Sequence, residues 1–88
     1  MSELRDTGAR YEMDEQDATS YAEYHREGDR LYIDYVFAPP ALRGTGASGR
    51  LMAALSADAR AKHLNITPIC GYAAAWLRRS EEFGDLVG

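Results

Sequence analysis

Several features that would fix a compartment or a fold are scarce in this sequence. The 88 residues include one cysteine, one tryptophan and three prolines. A single cysteine excludes an internal disulfide framework and is typical of a reducing compartment, so we expect a cytoplasmic protein. The apolar runs are far shorter than the roughly 20 residues that a membrane-spanning helix needs. The polar N-terminus also lacks the pattern of a secretory signal, so we expect no membrane partner.

Positive charge is also scarce, and the two signs are segregated along the chain. The formal net charge of −4 argues against nucleic acid as a partner. Residues 40–79 nevertheless hold six lysines and arginines and one aspartate, whereas the remainder holds four basic and thirteen acidic residues. The basic segment suits a compact polyanion such as a nucleotide-bearing cofactor, and the acidic remainder suits a cationic partner such as an amine. Solubility charge that falls unevenly explains the pattern equally well.

Alternating apolar residues predict three antiparallel strands in the first half of the chain. They cover residues 10–14, 19–27 and 30–38, and Gly28 with Asp29 forms a hairpin turn between the last two. In the strand over 30–38, the alternation places four apolar side chains on one face: Leu31, Ile33, Tyr35 and Phe37.

Helical spacing dominates the second half. Apolar residues recur every three to four positions over about 47–62 and predict a helix there. A short strand over 64–67 follows and is ended by Pro68, and a second helix begins at Gly71 or Tyr72. Because a helical crossover joins parallel strands, the short strand is predicted to lie parallel to the last strand of the first half.

The predicted fold class is α+β, in the element order β-β-β-α-β-α. We expect a mostly antiparallel four-stranded sheet, with a parallel last pair and two helices. Residues 1–8 are predicted to be a disordered leader and residues 9–88 a single domain. An open sheet of this size has edges that a second copy could cover, so a monomer or a weak dimer is expected.

A glycine-rich segment joins the last of the three strands to the first helix. Residues 39–50 have the sequence PPALRGTGASGR, with three glycines, two arginines and no acidic residue. The first N–H groups of a helix have no partner inside it, and the helix dipole adds partial positive charge there. Bare backbone at such a position binds anions, most often phosphate. A tight strand-to-helix turn, with glycines for geometry alone, is the alternative.

Three phosphate-binding templates can be compared with this segment. Gly44-x-Gly46-x-x-Gly49 has dinucleotide-loop spacing, but prolines separate it from the strand and no acidic residue lies between 59 and 80 to hold a ribose. The Walker pattern fails because no Gly-Lys-Ser/Thr is present. The run RGTGAS at residues 43–48 fits Arg-x-x-Gly-x-small. It resembles the acyl-CoA pyrophosphate loop of the GCN5-related N-acetyltransferases.

The resemblance covers about residues 9–87. Phe37-Ala38-Pro39 before the loop and Pro68-Ile69-Cys70-x-Tyr72 after the last strand resemble the small stand-alone YjdJ-type branch of that superfamily, whose minimal domain retains only the acetyl-CoA-binding core. The chain departs from these relatives at three places. They often carry His-Thr where this chain has Tyr35-Val36, His-Pro where it has Ser80-Glu81, and Gly or Ala where it has Ser48.

The resemblance implies an acetyl-CoA site between two parallel strands that splay apart. The pantetheine arm would bond to the backbone of Val36, Phe37 and Ala38. The pyrophosphate would lie on the loop, whose predicted cofactor-binding residues are Arg43, Gly44, Thr45, Gly46, Ala47, Ser48, Gly49 and Arg50. A guanidinium of this loop, from Arg43 or Arg50, would assist because its shape matches phosphate. No metal site is suggested, since the lone cysteine has no second ligand at workable spacing.

Cys70 and Tyr72 are the predicted catalytic residues. A helix N-terminus favours the thiolate of Cys70, which could attack the acetyl thioester and form an acyl-enzyme. The alternative to a catalytic role is that Cys70 is a small apolar residue buried in the core. For Tyr72 the alternative is that its ring only packs against its neighbours. His25, between Glu23 and Glu27 on a strand, is a weaker candidate for a general base, and a solvated strand face accounts for it as well.

These residues predict an acetyl-CoA-dependent N-acetyltransferase that acts on an unidentified amine or protein substrate. Direct transfer from the cofactor to the amine stays open beside the acyl-enzyme route. A non-catalytic acyl-CoA-binding or protein-interaction module is the first alternative, because the chain lacks the elements with which larger relatives build an acceptor pocket. A nucleotide-binding protein that uses the glycines by another route is the second.

Overall fold

The computed structural model describes residues 3–88, which contain a five-stranded sheet and two helices. In chain order these elements are β1 (Leu4–Asp6), β2 (Arg10–Glu15), β3 (Ala18–Glu27), β4 (Arg30–Phe37), α1 (Ala47–Ala61), β5 (Asn65–Pro68) and α2 (Gly71–Arg79). The strands lie side by side in sequence order. The pairs from β1 to β4 are antiparallel, whereas β4 and β5 are parallel. The predicted α+β class and the parallel last pair are confirmed.

Strand β1 lies where a disordered leader is predicted from sequence, over residues 1–8. Met1 and Ser2 of that prediction lie outside the described residues, but Leu4–Asp6 pair with β2, Leu4 opposite Met13. Arg5 holds the pair together from the side, with its guanidinium 2.6 and 3.1 Å from the carboxylate of Asp14. The sheet therefore has five strands rather than four, because a polar three-residue strand is stabilised by its partner and not by its own composition.

A bulge interrupts β4. Ile33 is paired with Tyr24 and Tyr35 with Glu23, so that Asp34 is an extra residue on β4 with no partner on β3. An inserted residue restarts the two-residue alternation of a strand, and side chains beyond it change faces.

The bulge makes the predicted face of β4 wrong in its second half. Leu31 and Ile33 are buried in the core as expected. Tyr35 and Phe37 are predicted to lie on the same face as Leu31 and Ile33. They point instead to the other side of the sheet, and Tyr35 is 48% exposed. Val36 takes the core-facing position instead, opposite a fully buried alanine of β3.

Both helices pack on one face of the sheet. Among the described residues neither helix is long and apolar enough to cross a membrane. The helices and strands share one core, whose large fully buried members include Tyr11, Leu31, Ile33, Leu51, Met52, Leu55, Ile66 and Leu77. We call the other side of the sheet the open face. Side chains of paired residues share a face, which places on the open face Tyr21, Glu23, His25, Glu27, Tyr32, Tyr35 and Phe37.

A polar network fastens α1 to the first strands. Tyr11 is buried in the core, and its hydroxyl donates to Asp58 of α1 at 2.9 Å. Lys62 lies 2.9 Å from the same carboxylate and 3.5 Å from Asp6 of β1. Burial and the bond to Asp58 raise the pKa of Tyr11 well above its ordinary value. The phenol therefore stays a hydrogen-bond donor, and the network orients α1 across the sheet.

The ion pair of β1 predicts acid sensitivity. Arg5 and then Thr19, by hydrogen bonds, lower the pKa of Asp14 from 3.8 to about 2. Because the folded pKa lies below the unfolded one, this contribution is present above about pH 4 and lost as the pH falls towards about 2. We expect Asp14→Asn to lower the free energy of unfolding near neutral pH and to flatten its decline between about pH 5 and pH 2. Urea denaturation at several pH values measures both.

Asp17→Asn is the matched control. Asp17 makes no ion pair in residues 3–88, and its φ of 62° suits asparagine. In this variant the free energy of unfolding should change with pH as steeply as in the wild type. An Asp14→Asn variant that lost stability in acid as steeply as the wild type would contradict the assignment.

Candidate functional site

The glycine-rich segment turns the chain from β4 into α1. A short 3₁₀ turn over Pro40–Leu42 comes first. Gly44 and Gly46 then adopt φ values of 79° and 84°. These values lie in the left-handed region, which glycine enters without a steric cost. Gly46 is the N-cap of α1, so the two glycines set the direction in which the helix begins.

Four amide N–H groups of this loop donate no hydrogen bond within residues 3–88. They belong to Gly44, Gly46, Ser48 and Gly49. The N–H of Ala47 is used, because it donates to the hydroxyl of Thr45 at 3.3 Å. The unused groups surround the start of a 15-residue helix whose first turn has no acidic residue. Such an arrangement can hold an anion.

A cavity of about 270 Å³ lies against the loop. It is lined by Ala38, Leu42, Arg43, Gly44, Gly46, Ala47, Ser48, Gly49 and Tyr72. Tyr72 comes from α2, and its hydroxyl lies 4.0 Å from the position that a Cβ atom on Gly49 would take. The cavity thus joins the start of α1 to the start of α2. A depression of about 440 Å³ at the β2–β3 turn holds none of the predicted site residues.

The two arginines of the loop have different surroundings. Arg43 lines the cavity and donates from Nε to the carbonyl of Ala38 at 3.1 Å. Arg50 is held by Glu15, with two contacts of 2.6 and 2.9 Å, and also donates to the carbonyl of Thr45 at 2.9 Å. It therefore braces the loop against the β2–β3 turn. Arg43 is the arginine whose side chain borders the cavity.

Glu15 is a contributor that sequence reasoning missed. Its side chain is only 11% exposed, and the hydrogen bonds from Arg50 lower its pKa. The carboxylate is therefore charged at neutral pH and keeps the arginine in place. The two residues are 35 positions apart, and no local pattern connects them.

The parallel ladder between β4 and β5 ends at Ile33 and Pro68. The carbonyl of Ile33 accepts two hydrogen bonds, from the N–H of Ile69 at 2.9 Å and from that of Cys70 at 3.0 Å. In the described residues no strand pairs with 34–37 on this side. Pro68 has no N–H with which to extend the ladder. A gap therefore opens beside the second half of β4, where Val36, Phe37 and then Ala38 border it.

Cys70 lies at this gap as the N-cap of α2. It is a free, half-buried cysteine that packs against the core. Tyr72, two residues further, is 40% exposed. Partial burial raises the pKa of its hydroxyl, so Tyr72 is protonated at neutral pH. The start of α2 thus brings a thiol and a proton donor to the region between the loop cavity and the strand gap.

His25 lies apart from these residues, on the open face. Its Nδ1 is 2.8 Å from Oδ2 of Asp34, the bulge residue. Sequence reasoning did not find Asp34 as a partner of this histidine, because the pairing between β3 and β4 brings the two side chains together and neither strand shows that pairing by its own sequence. Within residues 3–88 no group of His, Cys, Asp and Glu has the geometry to hold a metal ion.

Comparison with known proteins identifies the family. Residues 10–86 match the sequence profile described as GCN5-related N-acetyl-transferase. The NMR solution structure of "a GCN5-like putative N-acetyltransferase" from Staphylococcus aureus is similar in fold, with a TM-score of 0.71 at 21% identity, over 98% of this chain and 87% of that one. No curated protein matches the sequence significantly. On the match over residues 10–86, the chain belongs to the GCN5-related N-acetyltransferase family.

Proposed function

We propose that this protein binds acetyl-CoA at the glycine loop and transfers the acetyl group to an amine. The four unused amides around the start of α1 carry the proposal, because a diphosphate needs a cluster of such donors. Arg43 adds positive charge beside the cavity. Membership of the GCN5-related N-acetyltransferases supports the same donor, since acetyl-CoA is the cofactor of that family.

The gap beside β4 suggests the path of the cofactor. With the diphosphate on the loop, the pantetheine arm would run along Val36, Phe37 and Ala38, on the side where β4 lacks a strand partner. Its amide groups can bond to this edge much as an added strand would. The thioester would then lie near the end of the ladder, where the backbone of Cys70 is tied to Ile33.

Cys70 is the proposed nucleophile. Its sulfur would attack the acetyl carbonyl carbon, forming a new C–S bond while the bond to the CoA sulfur breaks. The free amine of the acceptor would then attack the acyl-enzyme, so that a C–N bond forms, the bond to the Cys70 sulfur breaks and Cys70 leaves as the thiolate. The position at the N-terminus of α2 supports this role, because the helix dipole favours an anion there.

Tyr72 is proposed to protonate the departing sulfur of CoA and to regain a proton from the acceptor nitrogen when that nitrogen attacks the acyl-enzyme. Its hydroxyl is protonated at neutral pH, as in any tyrosine, and burial raises its pKa further. It also lines the loop cavity, and this supports a position beside the proposed cofactor. A phenol is among the side chains that act as general acids in such transfers.

A non-catalytic acyl-CoA-binding module is the second candidate. One observation favours it: in the described residues no helix covers the open face, so this face has no enclosed acceptor pocket. Cofactor binding without acetyl transfer would distinguish this module from the transferase.

Ser48 provides a test of the anion site. It is the second residue of α1 and lines the cavity. Ser48→Asp places a carboxylate among the unused amides, where the helix dipole should stabilise the protein by about 0.3–1 kcal/mol. The same charge should repel the diphosphate, so we expect the Kd for acetyl-CoA to rise at least about tenfold. Urea denaturation and titration calorimetry measure the two opposite effects.

Ser48→Asn is the matched neutral control and should bind acetyl-CoA nearly as the wild type does. Acetyl-CoA at about 100 times its Kd should stabilise the wild type by about 2.7 kcal/mol. A Ser48→Asp variant that bound acetyl-CoA as tightly as the wild type would contradict a site at this loop.

Intact-mass spectrometry tests the part of Cys70. After mixing with acetyl-CoA, we expect one acetyl group on the wild type and none on Cys70→Ala, with similar Kd values for the cofactor. Tyr72→Phe should still be acetylated, but more slowly, because the proton donor to the leaving sulfur is absent. If Cys70→Ala were acetylated to the same extent as the wild type, the assignment of Cys70 as the nucleophile would be wrong. An acetylated amine product without any adduct would indicate direct transfer.

A further inference from the structure

A group of aromatic side chains lies on the open face, where no helix covers the sheet in residues 3–88. Tyr21 of β3 stacks on Phe37 of β4, with ring centroids 5.1 Å apart. Tyr35 joins them, with its ring centroid 6.5 Å from that of Tyr21. We call these three residues the aromatic patch. Tyr35 is 48% exposed, and contiguous aromatic rings at a surface are typical of sites that bind proteins.

Three carboxylates continue the same face along β3 and β4. They belong to Glu23, Glu27 and Asp34, and we call them the acidic rim. The rim begins beside the aromatic patch, because Glu23 is paired with Tyr35. In the described residues no lysine or arginine forms an ion pair with the rim, and His25 is its one basic neighbour, 2.8 Å from Asp34 and 3.8 Å from Glu27. The rim therefore stays negative whether or not the histidine is protonated.

Two arginines bound this surface, and both are engaged elsewhere. Arg10 lies over the ring of Tyr21, 4.3 Å from its centroid, and is paired with a glutamate of its own strand, β2. Arg30 donates to Thr67 and to the carbonyl of Gly88, each at 2.7 Å. The acidic rim is thus left for a cation that comes from outside the chain.

We propose that the aromatic patch and the acidic rim form a docking site for a basic amphipathic helix of another protein. The inference goes beyond the proposed function, because this contact needs neither the cofactor nor acetyl transfer. Apolar side chains of the helix would cover the aromatic patch, and its lysines or arginines would pair with the rim. From Tyr21 to Glu27 there are six residues of β3, or about 20 Å. A helix of about 13 residues spans this distance.

The position of the patch within the sheet favours a helix over an extended segment. β3 has a hydrogen-bonded strand on each side. Its backbone groups are therefore used inside the sheet, and an extended segment lying across the face would find no backbone partners there. A helix satisfies its own backbone and needs only side-chain contacts. Helices that cover a sheet are also a common layer arrangement in proteins.

A second copy of the chain is a poorer occupant of this surface. Two open faces turned towards each other would bring two acidic rims into one interface, where like charges repel. Arg5 and Arg10 do not offset this repulsion, because both are bound to acidic residues of β2. The chain as a whole carries a formal net charge of −4. A basic partner is attracted by the same charges that keep two copies apart.

The test measures the binding of three blocked, fluorescein-labelled helical peptides of about 14 residues. Two of them carry leucine and phenylalanine in one half of a face and lysine in the other half, in opposite orders, because either direction of the helix fits the sheet. The third peptide has glutamate in place of every lysine. Fluorescence anisotropy gives the Kd, and the amide chemical shifts of ¹⁵N-labelled protein locate the contact.

The acidic rim is tested by the double variant Glu23→Gln with Glu27→Gln. Its matched control is Glu81→Gln with Glu82→Gln, which changes two exposed glutamates that follow α2. Both variants change the net charge by the same amount, so any general attraction to a basic peptide is weakened equally. We expect at least one basic peptide to bind the wild type. Its Kd should rise about fivefold in the first variant and less than about twofold in the control.

The aromatic patch is tested by Tyr35→Ser. The matched control is Tyr72→Ser, since Tyr72 is 40% exposed but lies on α2. We expect the Kd for the basic peptide to rise at least about tenfold in Tyr35→Ser, because an aromatic anchor at the centre of the contact is lost. The Kd of Tyr72→Ser should stay within about twofold of the wild type. Urea denaturation shows that both variants are folded, and the shifted amides should lie in β3 and β4.

Each contrary outcome has a distinct meaning. The docking site would be wrong if neither basic peptide bound at about 1 mM, if the shifted amides lay outside β3 and β4, or if each variant weakened binding no more than its control. Equal binding of the acidic peptide would overturn the basic partner. A dimer in sedimentation experiments that Tyr35→Ser abolished would overturn the helix in favour of a second copy. Titration with acetyl-CoA is independent of all these results, so the proposed function stands or fails separately.

Discussion

The end of the parallel ladder between β4 and β5 is the constraint on which the candidate site depends. Ile33 offers one carbonyl to two successive N–H groups, and the chain then leaves the sheet to form α2. This bond fixes the start of α2 against β4 through the backbone, whatever side chains follow. Cys70 and Tyr72 owe their positions to it. The gap beside β4 exists for the same reason: β5 ends at Pro68, so residues 34–37 of β4 have no partner on that side.

The glycine loop is held in shape from two directions. From within, the left-handed turns at Gly44 and Gly46 present the start of α1 to the cavity. From outside, Arg50 connects the carbonyl of Thr45 to a nearly buried carboxylate of the β2–β3 turn. Donors that are already in position need no reorganisation when an anion arrives. The unused amides at the start of α1 thus keep fixed positions.

The regular elements could be predicted because each has its own period of apolar residues. The helices begin at Ala47 and Gly71, where the glycine and proline signals placed them. The family resemblance, carried by the loop and by Pro68-Ile69-Cys70-x-Tyr72, is confirmed by the profile match. The residues assigned to the site stay predictions that the proposed experiments address.

What could not be predicted depends on contacts between distant segments. β1 is too short to show a period, and its Arg5 finds a partner nine positions away. The bulge at Asp34 leaves no mark in the alternation of β4, so the faces of Tyr35 and Phe37 were assigned wrongly. The histidine at position 25 gains its partner, Asp34, through the pairing of β3 with β4.

The contact between Glu15 and Arg50 connects two parts of the chain that differ in charge. The acidic turn between β2 and β3 supports the basic glycine loop, so that the position of each depends on the other. Substitutions at the tip of the hairpin would be transmitted to a site they do not touch. The shape of the glycine loop therefore depends on the turn between β2 and β3 as well as on its own glycines.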